Sequence, residues 1–395
     1  MLLNPEKARE CFFKEVNNCY WNPKLSITTL PNGDRTVITN DNIYENEPLV
    51  VLNPNSFFNT EQCFIYSKED LSLLPKRLVI PAYLYQFYTK HTEKYPSGYD
   101  HYFNALPTYQ WYLKNHELLK VYTKMSSKQK ESLKENLFLI SDFDEIQEWA
   151  KKIPNHTFNH EEAIRSILAV ATRSWANAGL VPWIDFFNHS SEGSYLKNDG
   201  TTITASHFYN KNEEVNTSYG LKDSLQLLTI YGYKTQEKTI GICRPKLSPF
   251  SIALNKDLEK YEDFSQDNPF LFGLNLDQFS YFLSHMRLSA VSKYDTLFIS
   301  NLQDECTSFI NGANELKALE IGLVCTHTTR ENLEKIKAKF ASISNIIPQS
   351  FVEDFEVKFK ILDNLEEKIN EHWNTILKNK NFEIQKSLNK ETFSS

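Results

Sequence analysis

Val181-Pro-Trp-Ile-Asp-Phe-Phe-Asn-His-Ser190 is the stretch on which the reading of this chain turns. It extends an apolar, strand-like run, Leu180-Val-Pro-Trp-Ile-Asp185, into two aromatic rings and then an Asn-His pair. A buried Asn-His pair needs partners for every donor and acceptor it carries. Taken alone, such a pair has little specificity and reads first as a satisfied core polar pair. A hydrolase built on His189 and Ser190 is disfavoured. Neighbouring residues in a strand point to opposite faces, and the chain has no Gly-x-Ser-x-Gly elbow.

Upstream of this stretch, Asn159-His-Glu-Glu162 has the spacing of a helix start. Ala163, Ile164, Ile167, Leu168 and Ala171 then recur every three to four residues, which predicts a core-facing helix ending near Arg173. Downstream, Thr201-Thr-Ile-Thr-Ala205 alternates like a strand, and the polar turn 212–218 closes on Tyr219-Gly220. Farther out, residues 25–60 read as short strands and turns, with Pro31-Asn-Gly-Asp34 as a turn signal. Residues 65–155 read as helical, and Lys128–Lys134 as a solvated helix face. From about 245 the chain reads as mostly helical. The expected segments are Asp277–Ala290, Asn314–Val324, a capping box at Thr328-Thr-Arg-Glu331, and a stripe through Phe355, Phe359, Leu362, Leu365, Ile369, Trp373 and Ile376. A polar tail follows from Lys378.

Composition narrows the class. The chain has 395 residues, enough for two domains or for one domain with a large insertion. Its 27 Phe and 20 Tyr supply large cores and ring-lined pockets. A net charge of -7 argues against direct binding of nucleic acid through a whole-chain basic footprint. No apolar run approaches the ~20 residues of a membrane span, and the N-terminus does not read as a signal peptide. The six cysteines form no Cys-x-x-Cys pair, so no metal site is expected. Sparse cysteine of this kind reads as reduced and cytoplasmic, with the nucleus or export into a host cell left open. A monomer is expected.

In combination, the residues around 181–190 gain specificity. Asp185, Asn188-His189, Glu214-Val215, Tyr219-Gly220, Leu227-Leu228 and Tyr231-Gly-Tyr233 follow in one order. This set resembles the SET family of protein methyltransferases, in the branch that includes the RuBisCO large-subunit lysine methyltransferase and the actin-histidine methyltransferase. Residues 33–52 resemble the opening strands of that domain, and Tyr102-Phe-Asn-Ala-Leu-Pro107 resembles its inserted helical region. The chain departs from the pattern at three places. Tyr233 stands for a Phe, Asp223-Ser224 stands for a Ser-Asn, and only Gly33 remains of an opening Gly-x-Gly.

The resemblance implies an α+β fold. A β-rich SET domain with a knot-like core would span 1–240 and carry a helical insertion at about 65–155. An all-α substrate-binding domain would span 245–385. The implied activity is methyl transfer from S-adenosyl-L-methionine to a lysine of a protein substrate. A protein-histidine methyltransferase and an inactive protein-binding module are the alternatives. Carried over by position, Tyr219 would be the catalytic tyrosine. Asn188 and His189 would hold the cofactor, Arg173 its carboxylate, and Tyr233 its adenine. Gly33, Asp34, Arg35 and Asp185 would complete the cofactor pocket, with Tyr219 reaching it too. Trp175, Phe186 and Phe187 would wall the substrate channel. Bulky Trp175 favours lysine over histidine as acceptor.

Overall fold

The computed structural model describes residues 4–16, 18–30, 35–175, 179–194, 201–219 and 227–233, and a discontinuous set between 323 and 378. These fall into two compact units, one reaching to residue 233 and the other holding the 323–378 set.

The first unit is a mixture of helices and small sheets. It opens with α1 (Pro5–Glu15), β1 (Tyr20–Trp21), β2 (Leu25–Thr29), β3 (Arg35–Thr39) and β4 (Pro48–Val51). β2 and β3 pair antiparallel from Leu25↔Thr39 to Thr29↔Arg35. The turn expected at Pro31–Asp34 lies outside the described residues. Next come α2 (Thr60–Tyr66), α3 (Lys76–Tyr88), α4 (Tyr99–Ala105), α5 (Tyr109–Asn115), α6 (Glu117–Lys124), α7 (Ser127–Leu133) and α8 (Phe138–Ala150). The expected helical region is therefore present. Every residue of α3 from Leu78 to Gln86 is buried, so α3 is a central helix rather than an amphipathic cover.

α9 (His160–Arg173) positions the site. The Asn159 side chain accepts the amides of Glu161 and Glu162 at 3.0 and 3.2 Å, which satisfies two donors the helix cannot use itself. Both glutamates sit in the first turn, where the helix dipole favours negative charge. Ala163, Ile164, Ile167 and Leu168 are buried, as their spacing predicts. The helix ends at Arg173, and Ser174 is already extended.

Beyond α9 lie β5 (Ser174–Trp175), β6 (Gly179–Leu180), β7 (Asn188–Ser194), β8 (Thr202–Thr204) and β9 (Asn216–Thr217). The apolar run into Asp185 is only in part a strand. β6 stops at Leu180, and a 3-10 turn occupies Ile184–Phe186. Two things break the strand. Pro182 has no amide to donate, and Trp183 adopts φ 72°. That conformation costs roughly 1–2 kcal/mol in a residue with a Cβ. Burial offsets the cost, since Trp183 is fully buried against Phe12, Tyr102 and Phe186.

Long-range pairing closes the unit. β4 pairs antiparallel with β8 across the whole helical region, and with β1 on its other side. β7 and β9 run parallel, with Asn188 opposite Asn216 and His189 opposite Thr217. The two segments approach so closely at Gly193 that a Cβ there would lie 2.7 Å from the Thr217 backbone.

The second unit holds helical residues at 333–341 and intermittently from 349 to 378. His327 meets Glu366, Arg330 meets Asp363, and Lys337 meets Glu356. Partner numbers fall as the first numbers rise, the signature of an antiparallel helical pair. Phe340 packs on Phe355 at 5.8 Å between ring centres. Phe355 and Leu362 of the expected stripe are buried, whereas the side chains of Leu365, Ile369 and Ile376 lie outside the described residues. So do the segments expected at Asp277–Ala290 and, apart from Leu323, at Asn314–Val324. Of the capping box at 328–331, Thr328 and Thr329 fall outside them too.

Candidate active site

Arg173 leaves the end of α9 pointing at the 3-10 turn. Its Nη1 donates to the Asp185 carbonyl at 2.6 Å and to the Asp185 carboxylate at 3.0 Å. The Tyr102 hydroxyl donates to the same carboxylate oxygen at 3.0 Å. The pair is nearly dry, with side-chain exposures of 13% for Arg173 and 1% for Asp185. Burial opposes the Arg173 charge, but the neighbouring carboxylate outweighs it and holds the guanidinium above its ordinary range. Burial raises the Asp185 carboxyl, while Arg173 and Tyr102 pull it back.

Phe186, next in the turn, lies between two cations. The Arg173 and Arg35 guanidiniums stand 5.2 and 5.7 Å from its ring centre, a favourable cation–π geometry. Arg35 heads β3 and also donates to the Ala105 carbonyl. Asn188 opens β7, and its amide nitrogen donates to Glu214 at 2.8 Å. Thr36 of β3 donates to the same Glu214 oxygen. Glu214 thus ties β3 to β7 beside Asn188.

Tyr219 is held by hydrogen bonds and by ring stacking. Its hydroxyl donates to the Phe187 carbonyl at 2.9 Å, and its backbone amide donates to His189 Nδ1 at 3.1 Å. The His189 ring stacks on it at 5.0 Å, and Tyr231 stacks nearby at 4.8 Å. Because His189 Nδ1 accepts, a neutral His189 carries its proton on Nε2. Tyr233 continues the series 6.4 Å from Tyr231. Burial pushes the Tyr231 phenol up to about 12, so it stays protonated at any physiological pH.

One recess collects these groups. Its walls include Arg35, Arg173, Asp185, Phe186, Asn188, Tyr219 and Tyr233, drawn from segments far apart in sequence. Other expected residues sit elsewhere. His189 backs Tyr219 rather than lining the recess. Phe187 turns its ring into the core against Trp21, because the chain becomes extended after the 3-10 turn and successive side chains diverge. Only its carbonyl serves the site. Trp175 is half-buried in β5 and does not line the recess. Gly33 and Asp34 lie outside the described residues.

Four wall residues were not anticipated: Trp111, Tyr112, Thr172 and Tyr231. Tyr231 belongs to a short motif already noted, and Thr172 directly precedes Arg173 at the end of α9. Trp111 and Tyr112 come from α5, a stretch that the sequence marks only as helical. Among the described residues, no group of three His, Cys, Asp or Glu could hold a metal. No described helix is long and apolar enough to cross a membrane.

No family model and no curated protein matches the chain. Solved structures of Rubisco LSMT are among those the chain is similar to. Rubisco LSMT bound to sinefungin and monomethyllysine is 15% identical, with a TM-score of 0.48, covering 95% of this chain and 93% of that one. The SET domain of LSMT bound to lysine and AdoHcy is 15% identical, with a TM-score of 0.44, covering 94% and 92%.

Proposed function

We propose that this chain is an S-adenosylmethionine-dependent protein methyltransferase of the SET type that acts on a lysine amine. The observation that supports it is the convergence of Arg173, Asn188, Tyr219 and Tyr233 on one recess. These are the residues to which the motif pattern assigns the cofactor and the chemistry.

The walls suit such a cofactor. Arg173 Nε is buried and has no hydrogen-bond partner among the described residues, an open donor for a carboxylate. The Tyr231 and Tyr233 rings offer flat surfaces for a heteroaromatic base. The recess measures about 80 Å³, well short of the roughly 300–1,000 Å³ of a full ligand pocket. The described walls therefore frame one part of the site.

When bound, S-adenosylmethionine supplies an electrophilic methyl group on a sulfonium. The chain's part is to orient the acceptor. The Tyr219 hydroxyl donates to the Phe187 carbonyl, and in this reading its oxygen accepts an amine N–H and aims the nitrogen lone pair. Such positioning supplies much of the acceleration in a displacement reaction. A lysine amine, with an ordinary pKa of ~10.4, must first lose its proton. Desolvation and the Arg173 charge both favour the neutral amine. Asp185, the carboxylate of the described walls, is held as the counter-charge of Arg173 through Oδ2, which also accepts from Tyr102, and the Tyr231 phenol stays protonated. The proton therefore leaves to water. Trp111, also in the wall, provides a ring that attracts an ammonium group on arrival.

Calorimetric titration of S-adenosylmethionine and its demethylated product into wild type and Asn188→Ala tests this reading. Micromolar binding lost in the variant is expected, with label from the cofactor appearing in methyl-lysine. A wild-type protein that binds neither compound sinks it.

A further inference from the structure

Tyr231 and Tyr233 lie on a π-helical turn, Leu227–Tyr231, and the two residues after it. Single π turns are rare and often mark functional sites. Something must hold this segment in register with the recess, and the contacts point to His116.

His116 stands at the junction of α5 and α6 and is 1% exposed. Its Nε2 is 3.0 Å from the Ile230 carbonyl. A carbonyl only accepts, so Nε2 carries the proton. The adjacent Glu117 amide donates to the Gly232 carbonyl at 3.0 Å. Gly232 adopts φ +80°, and a Cβ there would fall 2.3 Å from His116 Cγ. The imidazole thus lies directly on the Gly232 backbone. Its ring also meets Tyr112, another wall of the recess, edge-on at 6.1 Å.

We propose that His116 is a positioning residue: it clasps residues 230–232 to the helical region and thereby sets the Tyr231 and Tyr233 rings against the bound ligand. The contacts on both sides of Tyr231 leave that ring little freedom, and a preset wall spares the ligand an ordering cost. Burial holds the imidazole pKa near 4, so the donor stays neutral at physiological pH. The identity of the ligand rests on the function proposed above.

The test compares wild type, His116→Ala and His116→Gln, reading amide hydrogen exchange across the protein and binding of S-adenosylhomocysteine. In His116→Ala, exchange in 227–233 is expected to speed up by roughly tenfold or more while α9 keeps its protection. Affinity should fall by about tenfold. His116→Gln, whose terminal amide can donate to the same carbonyl, should restore both. Wild-type exchange and affinity in His116→Ala would overturn the proposal, as would a His116→Gln protein as loose as His116→Ala. If His116→Ala loses protection everywhere, the Gln variant decides: native behaviour supports the clasp, and loosening rejects it. If wild type binds no S-adenosylhomocysteine, the proposed function fails, while exchange in 227–233 still decides the role of His116.

Discussion

The Arg173 guanidinium lies 3.0 Å from the Asp185 carboxylate and 2.6 Å from the carbonyl of the same residue. One side chain at a helix end therefore grips both the backbone and the side chain of the turn that follows. The grip places Phe186 beneath Arg173 and brings Asn188 to the edge of the recess.

Asp185→Asn leaves the Arg173 charge buried with no carboxylate opposite it. Removing one partner of a buried ion pair costs about 3–5 kcal/mol. Urea unfolding should show a loss of at least about 3 kcal/mol. A loss under about 1 kcal/mol would mean that Tyr102 and the carbonyl hold the turn without the charge.

Tyr219→Phe removes a hydroxyl that donates to the Phe187 carbonyl. The stability cost should be about 1 kcal/mol, the net value of one hydrogen bond. Methyl transfer should fall by about a hundredfold with cofactor affinity nearly unchanged, because the oxygen orients the acceptor. Equal losses of rate and affinity would point instead to a binding role.

Gly193→Ala forces a methyl group to within 2.7 Å of the Thr217 backbone, where β7 and β9 run side by side. Overpacking of this kind costs about 1–3 kcal/mol. The denaturation midpoint should drop accordingly. Activity should drop with it, because Asn188 and Tyr219 flank the same pair of segments.

His116 makes stability depend on pH. Burial lowers its pKa to about 4 from the ordinary 6.5. Below 6.5 the unfolded chain takes up a proton that the folded chain refuses. The stabilisation is therefore complete above pH 6.5 and declines as pH falls toward 4. The full effect is about 3 kcal/mol, from about 1.36 kcal/mol per pKa unit. His116→Gln should flatten the stability profile between pH 7 and 4.5 relative to wild type. Identical slopes would place the imidazole in a wetter site than its burial indicates.

Local patterns in the sequence carry α9 from its Asn159 cap to Arg173, because capping and apolar spacing are decided within a few turns of chain. The strands at 35–39, 48–51 and 202–204 are legible for the same reason, since β-rich composition and alternation are local. The ordered motifs from Asp185 to Tyr233 also identify most of the recess before any folding is considered. Partnership is a different matter. Nothing local says that Arg173 is bound by Asp185, that His189 backs Tyr219, or that Phe187 faces Trp21. The apolar run after Leu180 reads as strand until Trp183 takes a left-handed conformation, a cost only a surrounding core can offset. Trp111, Tyr112 and His116 fall in a stretch that reads only as helical, and folding brings them to segments more than a hundred residues away. What the sequence determined by itself was the set of chemical groups and the elements that carry them, because propensity and capping act over short range. Which of those groups touch was decided only by tertiary structure, because β4–β8 pairing and close packing of the helical region are long-range events that no short window records.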